Sequence, residues 1–313
     1  MTVDVLAHRA LGATGWQVTP LCVGTGEIGA IPVYGPPVPE AQAVATARRA
    51  LAGPLNFVDT SNGYGLSEMR LGLALAEIGG LPEGLLLATK VDPEDGGRFD
   101  RPRVRASVEE SMGRLGLDYF PLLYLHDPER ISFEEAIAPD GPVAALRELV
   151  AEGRVGHLGV AGGPVELLRR FVATEIFEVV LTHNRWTLLD RSAGPLLEDC
   201  AAAHVAVVNA APFGGGILAK GPARVTSYAY GPASPGLLST VAAMHSACAR
   251  HGVPLASAAL QHSLRDALVT STVVGMSRPE RYDAALALAA HPVPDALWPE
   301  LEALTPEPSE WLA

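Results

Sequence analysis

Four side chains that can handle protons stand at or near the ends of successive apolar runs. Asp59 closes the run LNFVD, Tyr64 follows in TSNGYG, Lys90 closes LLLATK and His126 closes YFPLLYLH. Asp and Lys are costly to bury unless they pair, so we expect an Asp59–Lys90 ion pair. An ammonium beside Tyr64 would stabilise the phenolate and lower the pKa of the phenol, which makes tyrosine a usable proton shuttle. His126 could orient a substrate oxygen or relay a proton.

Each of these residues also has an ordinary structural explanation. A single histidine or lysine at a strand end is more often a hydrogen-bonded structural group than a catalytic one. Their occurrence together at successive strand ends is much harder to obtain by chance. In a barrel of alternating strands and helices, catalytic groups lie at the carboxyl ends of the strands. The combination therefore predicts a site that transfers protons.

The elements that would position these groups alternate along the chain. Short β-branched or leucine-rich runs precede amphipathic stretches, a pattern typical of βαβ units around a parallel sheet. Helices are predicted over 104–115, ended by Gly116, and over 143–151, followed by Gly153. The pattern favours one α/β domain over residues 1–313, a closed (β/α)8 TIM barrel, with a doubly wound open sheet as the alternative. The predicted strands are 21–24, 55–59, 85–90, 119–126, 155–160, 179–182, 205–209 and 271–274.

A glycine motif near the start matches a phosphate-binding fingerprint but lacks its context. Residues 24–29 read G-x-G-x-x-G directly after an apolar run. A Rossmann fingerprint opens a helix and is followed about twenty residues later by an acid for the ribose. Here the prolines between residues 32 and 39 prevent a helix, and no acidic residue lies between Glu40 and Asp59. We interpret these glycines as a tight strand-end turn whose backbone approaches a ligand.

Composition and charge exclude several classes of protein. The 313 residues are 48% hydrophobic and 19% charged, which excludes disordered and fibrous chains. A net charge of −12 gives a surface that repels phosphate backbones and anionic lipids, so neither nucleic acid nor a membrane is an expected partner. We expect neither a secretory signal nor a membrane span. Cys22, Cys200 and Cys248 are too far apart for a disulfide framework or a metal motif, so we expect a cytoplasmic protein with buried thiols and no metal.

The segments around the strand ends resemble those of the aldo-keto reductases. They are FVDTSNGYGLSEMRLGLAL at 57–75, ATK at 88–90 and LLYLHDPE at 122–129. The resemblance extends from HRALGATG near the start to GMSRPERY near the end. It implies a (β/α)8 barrel that binds a nicotinamide cofactor without a Rossmann motif. It also implies a catalytic tetrad of Asp59, Tyr64, Lys90 and His126.

Later segments are most similar to the D-threo-aldose 1-dehydrogenase group of that family, which includes L-fucose and L-galactose dehydrogenases. Pyridoxal dehydrogenases are similar through the same segments, so the substrate does not follow from them. The segments are LTHNRWTLLDRSA at 181–193, VVNAAPFGGGILAKG at 207–221, SYAYGPASPG at 227–236 and CARHGVPLASAALQHSLRD at 248–266.

The sequence departs from the family pattern where the nicotinamide is expected. Many members carry Gly-Val-Ser-Asn after the fifth strand, with Ser and Asn holding the carboxamide, whereas residues 159–163 read GVAGG. The next strand ends in His183 and Asn184, so either side chain is a candidate for the carboxamide instead. Relatives commonly stack a tyrosine on the nicotinamide after the seventh strand. This chain carries Phe213 there, which fits stacking and a core position equally well.

Two further features of these loops are candidates for ligand contacts. Gly214, Gly215 and Gly216 would let backbone N–H groups approach an anion closely, as a pyrophosphate clamp requires. A plain flexible turn is the alternative. Trp186 could offer a flat apolar face to a sugar ring, although buried packing is the more common fate of such a residue.

The segment after the last strand resembles the family's site for the adenosine end of the cofactor. Ser277 can donate to a phosphate oxygen, and Arg278 and Arg281 can add charge-assisted bonds or stack on adenine. A helix N-cap with solvated arginines is the alternative. An Asn and a Lys that are usual in this segment align with Ala285 and Gly275. The absence of this Asn and this Lys favours NAD as the cofactor, with NADP as the alternative.

Together these features predict an NAD(P)-dependent oxidoreductase, monomeric or homodimeric, that oxidises the anomeric hydroxyl of an aldose such as L-fucose or D-arabinose to a lactone. Tyr64 would take the hydroxyl proton, Lys90 held by Asp59 would favour the tyrosinate, and His126 would orient the reacting oxygen. The alternatives within the same class are an NADPH-dependent aldehyde or ketone reductase and a pyridoxal dehydrogenase. The alternative in a different class is a cofactor-binding regulatory subunit, against which the intact tetrad argues.

Overall fold

A closed ring of eight parallel strands forms the centre of the computed structural model, which describes residues 4–94 and 96–312. Seven strands, from Leu21–Gly24 to Ala206–Ala210, pair in chain order, and the strand Ser271–Gly275 closes the ring between the last and the first of them. An open sheet would leave two unpaired edges, so the ring confirms the predicted (β/α)8 barrel and excludes the doubly wound alternative. The strands are β1 (Arg9–Ala10), β2 (Gln17–Val18), β3 (Leu21–Gly24), β4 (Phe57–Asp59), β5 (Leu86–Val91), β6 (Phe120–His126), β7 (Val155–Gly162), β8 (Val179–His183), β9 (Ala206–Ala210), β10 (Ser227–Tyr228), β11 (Gly231–Pro232) and β12 (Ser271–Gly275).

Helices lie between the strands and begin and end at local signals in the sequence. The Asp100 carboxylate accepts the Arg103 N–H at 2.9 Å at the start of α3, and Gly116 ends that helix at a φ of 67°. Both helices predicted in detail, α3 and α5, are confirmed. The helices are α1 (Glu40–Ala52), α2 (Ser67–Ile78), α3 (Arg101–Leu115), α4 (Phe133–Ile137), α5 (Pro142–Ala151), α6 (Val165–Val172), α7 (Gly194–Ala202), α8 (Ile217–Lys220), α9 (Pro235–Arg250), α10 (Leu255–Leu264), α11 (Glu280–Ala290) and α12 (Leu297–Glu302).

Side-chain alternation along the strands determines which residues point into the barrel. On β5, Leu86 and Ala88 belong to the inner cluster, whereas Leu87 and Val91 pack outward under the helices. Because successive side chains of a strand point to opposite faces, Lys90 shares the inward face with Ala88. The same count from Phe57 turns Asp59 inward, and the count from Leu122 and Tyr124 turns His126 inward. Strand alternation therefore directs the side chains of Asp59, Lys90 and His126 towards the barrel axis.

A short hairpin closes the amino-terminal end of the barrel. Strands β1 and β2 pair antiparallel, and Leu11 and Val18 are fully buried in the inner cluster together with Phe57. The Asn56 side chain ties the hairpin to β4 by accepting the Thr19 N–H at 2.8 Å and donating to the Gln17 carbonyl at 2.8 Å. The sequence analysis did not predict this hairpin, because strands of two residues carry no alternation signal. The opposite, carboxyl end is where Asp59, Lys90 and His126 lie.

The glycine motif after β3 forms a turn and opens no long helix. Residues Gly26–Gly29 make one 3-10 turn, and Ala30 follows in the left-handed region at a φ of 61°. The Gly29 carbonyl accepts the Leu66 N–H at 2.9 Å, which ties this turn to the loop that carries Tyr64. The prediction of a tight strand-end turn is confirmed.

Neither a membrane-spanning helix nor a metal-binding cluster is present among the described residues. None of their helices is long and apolar enough to cross a membrane. In the same part of the chain, no group of three or more His, Cys, Asp or Glu side chains is arranged to hold a metal ion. Cys22, Cys200 and Cys248 are free and buried.

Candidate active site

Lys90 and Asp59 form a buried ion pair at the carboxyl end of the barrel. Their side chains are 0% and 4% exposed, and Lys90 Nζ donates to Asp59 Oδ1 at 2.7 Å. The same ammonium donates to the Thr60 carbonyl at 2.6 Å and lies 4.6 Å from the centre of the Tyr64 ring. The expected pair is thus present, and it faces Tyr64.

The Asp59 carboxylate depends on Lys90 for its charge. Burial raises the pKa of Asp59, and the charge and hydrogen bond of Lys90 oppose that effect. Among the described residues, Asp59 Oδ2 has no hydrogen-bond partner. A buried carboxylate with one oxygen unpaired is stable in its ionised form only next to a cation.

Tyr64 is enclosed between Tyr34, Lys90 and His126. Its ring meets the Tyr34 ring edge to face at 5.4 Å between centroids and the His126 ring at 5.8 Å. Tyr34 lies at the end of a 3-10 turn in the proline-rich segment after β3. The sequence analysis missed Tyr34, because nothing in that segment shows that it folds back over the barrel.

The expected lowering of the Tyr64 pKa is not found. Burial is the largest effect and raises the pKa of Tyr64 well above 10, and the nearby carboxylates of Asp59 and Asp92 raise it further. Only a hydrogen bond from Tyr34 acts in the opposite direction among the main contributions. The prediction was wrong because it counted the Lys90 charge without the burial of the phenol, and without the Asp59 charge that pairs with Lys90. In this state the phenol keeps its proton at neutral pH.

His126 is held by a carboxylate that the sequence analysis also missed. Its Nδ1 lies 2.6 Å from Asp92 Oδ1, and the Ser61 hydroxyl lies 3.2 Å from the same nitrogen. Burial alone would lower the pKa of His126, but Asp92 and, more weakly, Asp127 raise it above its usual value. Asp92 follows the strand-end Lys90 by two residues. That position at the same barrel edge is the signal that could have identified it.

A polar cavity of about 860 Å³ opens above Tyr64 and His126. Ionisable and amide side chains line much of it, and Tyr34, Tyr228 and Tyr230 add aromatic surface. Tyr230 lies in the turn between β10 and β11 and is 63% exposed. The cavity has the size of a small-molecule site whose ligand carries several hydrogen-bonding groups. The polar lining residues, besides the tyrosines and His126, are Asp127, Glu129, Arg130, His183, Asn184, Arg185, Ser234 and Glu310.

A second, narrower groove of about 300 Å³ leads away from the same tyrosine. It begins at Asp59 and Tyr64, passes Phe213, and continues towards Arg281 at the start of α11. His183 and Asn184 line both the groove and the polar cavity, so they lie where the two meet. An elongated ligand in the groove would therefore have one end beside Tyr64.

The groove contains buried polar atoms without partners and two cationic side chains. Asn184 Oδ1 and Arg281 Nε have no hydrogen-bond partner among the described residues. Lys220 and Arg281 line the wall. Burial, and then the Arg185 charge, lower the pKa of His183 to about 4, so its ring is neutral at pH 7. A neutral amide acceptor at one end and cations further along suit a ligand with an amide head and a phosphate body.

The predicted cofactor residues divide into two sets. His183, Asn184, Phe213, Gly215, Gly216 and Arg281 line the groove. Gly214, Ser277 and Arg278 are not among its lining residues. A Cβ at Gly214 would overlap the Tyr228 ring, so this glycine allows packing against Tyr228. The Gly214 and Gly216 N–H groups donate to the Ala211 and Phe213 carbonyls at 3.0 Å, which already occupies two of the three amides of the proposed clamp.

The other residues of the adenosine segment and Trp186 face elsewhere. Arg278 is 56% exposed and lies 3.9 Å from Glu280, and the Ser277 carbonyl accepts from Gln42 at 2.9 Å. Trp186 donates from Nε1 to Asp266 at 3.1 Å and packs near His262, outside both cavities. Trp186 therefore has a packing role, which was the alternative to a sugar-binding face in the sequence analysis.

Strained backbone is concentrated around the two cavities. Asp127, Asn184, Ala211 and Ala229 all have φ between 43° and 60° and all line a cavity. Tyr228 holds Asn184 in place, since its hydroxyl donates to the Asn184 carbonyl at 2.6 Å. Such conformations cost on the order of 1 kcal/mol each and persist where the surroundings enforce them, commonly at functional sites.

Known proteins match the chain over most of its length. The profile of the Aldo/keto reductase family matches residues 20–306. L-galactose dehydrogenase of Arabidopsis thaliana is 35% identical over 276 residues, which are 86% of this chain and 83% of the relative. D-threo-aldose 1-dehydrogenase of a Pseudomonas species is 38% identical over 205 residues, 65% of this chain and 62% of the relative. Pyridoxal 4-dehydrogenase of Microbacterium luteolum is 28% identical over 341 aligned residues, and the match covers 96% of this chain and 98% of the relative.

Solved structures share the same architecture. Two structures described as an aldo-keto reductase from Pseudomonas aeruginosa superpose with TM-scores of 0.66 and 0.65. Both are 26% identical to this chain, and the first match covers 93% of this chain and 98% of the solved one.

Proposed function

Since the chain belongs to the aldo/keto reductase family and is an NAD(P)-dependent oxidoreductase, we propose that it oxidises the anomeric hydroxyl of an aldose to a lactone. One observation carries the proposal. Tyr64 and His126 line a polar cavity of about 860 Å³, and the buried Asp59–Lys90 pair lies behind Tyr64. A sugar carries hydroxyl groups on several sides, and the lining of this cavity includes several side chains that can hydrogen-bond them.

The rim supports a hydroxyl-rich substrate. Asp127 and Glu129 are acceptors, Arg130 and Arg185 are donors, and Asn184 can serve as either. A site built to hydrogen-bond hydroxyl groups discriminates strongly against analogues that lack them, because its polar groups are then left unpaired. A simple aliphatic aldehyde offers one oxygen to the rim, whereas an aldose such as L-fucose, D-arabinose or L-galactose offers several.

We assign the proton chemistry to the four residues that the sequence analysis selected. Tyr64 accepts the proton of the anomeric hydroxyl, and His126 orients the same oxygen. Because Tyr64 holds its own proton at neutral pH, its phenolic proton passes on to His126 as the substrate proton arrives. Lys90, held by Asp59, stabilises the negative charge that develops on the phenol oxygen between these two transfers.

The residues of the groove fit a nicotinamide cofactor. We propose that His183 and Asn184 hold its carboxamide, that Phe213 covers the ring, and that Gly215, Gly216, Lys220 and Arg281 contact the phosphates and the adenosine. The unpartnered Asn184 Oδ1 supports the first assignment, since an amide acceptor suits a carboxamide N–H. When bound, the cofactor supplies the hydride acceptor. Gly214, Ser277 and Arg278 remain candidates that would need a local rearrangement to reach it.

We further propose that NAD is preferred over NADP because of Glu27. A Cβ at Gly275 would lie 2.8 Å from Glu27 Oε1, so the Glu27 carboxylate fills the space beside that glycine. The aldo-keto reductase resemblance expects a lysine at position 275. A carboxylate in the groove wall can accept hydrogen bonds from ribose hydroxyls, and it repels a 2′-phosphate.

Pyridoxal oxidation is the second candidate function. Similarity to pyridoxal 4-dehydrogenase extends over 96% of this chain, further than the aldose relatives reach. The flat faces of Tyr34 and Tyr230 in the cavity favour an aromatic substrate as well as a sugar.

Reduced-cofactor absorbance of the purified protein tests these proposals. NAD and NADP are supplied separately with L-fucose, D-arabinose, L-galactose and pyridoxal, and lactone is assayed as its hydroxamate. We expect reduction of NAD with at least one aldose, accompanied by lactone in equal amount. Turnover of pyridoxal alone would replace the aldose assignment by the second candidate. Turnover of simple aldehydes with NADPH alone would overturn both.

A further inference from the structure

We propose that Asp92 is a positioning residue that fixes the tautomer and the charge of His126, and with them the pH dependence of proton transfer at Tyr64. The inference rests on the proposed function in one respect, namely that His126 exchanges a proton with Tyr64. Asp92 lines neither cavity, so it acts through the groups that it faces, chiefly His126.

The Asp92 carboxylate is surrounded by donors from two parts of the chain. Its Oδ1 lies 2.6 Å from His126 Nδ1. Its Oδ2 accepts the Gly63 N–H at 2.8 Å and the Ser61 hydroxyl at 2.5 Å. Burial alone would raise the pKa of Asp92, but His126 and these hydrogen bonds outweigh it and lower the pKa to about 2. Asp92 is therefore ionised and can only accept, which fixes a proton on His126 Nδ1.

Fixing the proton on Nδ1 leaves Nε2 as the nitrogen that gains and loses a proton. Nε2 lies 3.5 Å from Asp127 Oδ1, and His126 and Asp127 both line the polar cavity. In the proposed oxidation, the substrate proton moves to the Tyr64 oxygen and the Tyr64 proton moves to Nε2. The imidazolium formed lies between Asp92 and Asp127, which compensate its charge.

An amide in place of this carboxylate would reverse the tautomer. The Gly63 N–H is a backbone donor that cannot rotate away, so the new amide oxygen in the Asp92→Asn variant must face it. The amide N–H₂ would then face His126 Nδ1 and donate to it. His126 would carry its proton on Nε2 and could no longer accept another there. Asp92→Asn therefore separates the role of the charge from the role of side-chain volume.

Several charged and titratable groups face His126, and they act in opposite directions. Asp92 and Asp127 raise the pKa of His126, whereas Lys90 lowers it. Asp92 has the larger effect of the two carboxylates, because it is both closer and less exposed. The groups are Asp59 on β4, Tyr64 in the loop after it, Lys90 on β5, Asp92 after it, Asp127 and Glu129 after β6, and His183 on β8.

The test uses two variants and one matched control. Asp92→Asn removes the charge, and Gly63→Ala moves the carboxylate, because a Cβ at Gly63 would lie 2.7 Å from Asp92 Oδ1. The control is Glu94→Gln, the same type of change in the same loop at a side chain that is 42% exposed and pairs with Arg98. Imidazole NMR titration follows His126, which is assigned among the nine histidines by its absence in His126→Gln.

We expect Asp92→Asn to move the His126 titration to lower pH and to transfer its proton from Nδ1 to Nε2. The kcat for oxidation should fall about 10- to 100-fold at its high-pH plateau, with cofactor affinity unchanged. Gly63→Ala should change the His126 titration and kcat in the same direction as Asp92→Asn, but by less. Glu94→Gln should change neither the titration nor kcat. An unchanged titration and tautomer in Asp92→Asn would overturn the proposal. Since NMR needs no substrate, that result is distinct from failure of the aldose assignment.

Discussion

Replacing Lys90 by methionine should destabilise the protein in a pH-dependent way. Met has nearly the volume of the lysine side chain and keeps the packing against Tyr64 and Tyr124. It removes the cation that Asp59 faces at 2.7 Å in a site with 4% exposure or less. Asp59 already has one oxygen without a partner, so the variant leaves a buried carboxylate with no compensation.

The size of the effect follows from the protonation of Asp59. Without Lys90, the folded state must take up a proton there, whereas the unfolded carboxyl ionises with a pKa of 3.8. For a carboxyl that stays protonated in the folded state up to pH 7, each pH unit above 3.8 costs about 1.4 kcal/mol, which is about 2 kcal/mol at pH 5 and about 4 kcal/mol at pH 7. Because the pKa of Asp59 is higher in the folded variant than in the unfolded chain, the variant pays no such cost below pH 3.8, and its free energy of unfolding falls as the pH rises above that value. Loss of one partner of a buried ion pair commonly costs about 3–5 kcal/mol, in agreement with the value at pH 7.

Urea unfolding followed by circular dichroism at pH 5 and pH 7 measures the difference. The loss at pH 7 corresponds to a melting temperature about 5–8 °C lower for a chain of this length. Asp59→Asn should lose less, since Lys90 keeps its bond to the Thr60 carbonyl at 2.6 Å. The double variant Lys90→Met/Asp59→Leu should recover most of the loss, because it leaves no buried charge. Equal losses at both pH values would refute the electrostatic reasoning, since a packing defect does not depend on pH.

Three further changes test the site. Tyr64→Phe removes the only group proposed to contact the substrate proton, so kcat should fall at least about 100-fold while fluorescence titration with NADH gives an unchanged Kd; retained turnover would exclude Tyr64 from that role. Glu27→Gln removes the carboxylate beside Gly275, so the ratio of the Kd for NADPH to that for NADH should fall, and a constant ratio would remove Glu27 from cofactor selection. His183→Ala should raise the cofactor KM and leave the pH dependence of kcat in place, because the neutral ring is proposed only to position the carboxamide; an unchanged KM would contradict that role.

The inward direction of Asp59, Lys90 and His126 could be predicted because strand alternation is a local property. Each run is apolar and long enough to mark a strand, and the ionisable residue is at its end. The predicted strand bounds agree with the structure within about two residues. The aldo-keto reductase resemblance then selects Tyr64, which lies in a loop where alternation gives no information.

The surroundings of Tyr64 could not be predicted from such local patterns. Whether a loop residue such as Asp92 contacts His126 depends on where two segments separated by 34 residues come together. The pKa of Tyr64 depends on the balance between burial and a charge that Asp59 neutralises, and neither quantity has a signal in the sequence. The position of Glu27 was missed for the same reason, since its side chain reaches Gly275 from the turn after β3, beside the neighbouring strand β12.

The rigid and the variable parts of this site lie on different elements. Asp59 and Lys90 are on paired barrel strands and their side chains are at most 4% exposed, so the packing of the whole barrel fixes their distance from Tyr64. The residues that line the polar cavity, such as Asn184 and Tyr230, are on loops, several of them in strained conformations. Substitutions in those loops can alter which molecule binds without moving the Asp59–Lys90 pair. Relatives named for L-galactose and for pyridoxal both match this chain, and from this division we expect the loops, rather than the tetrad, to determine its substrate.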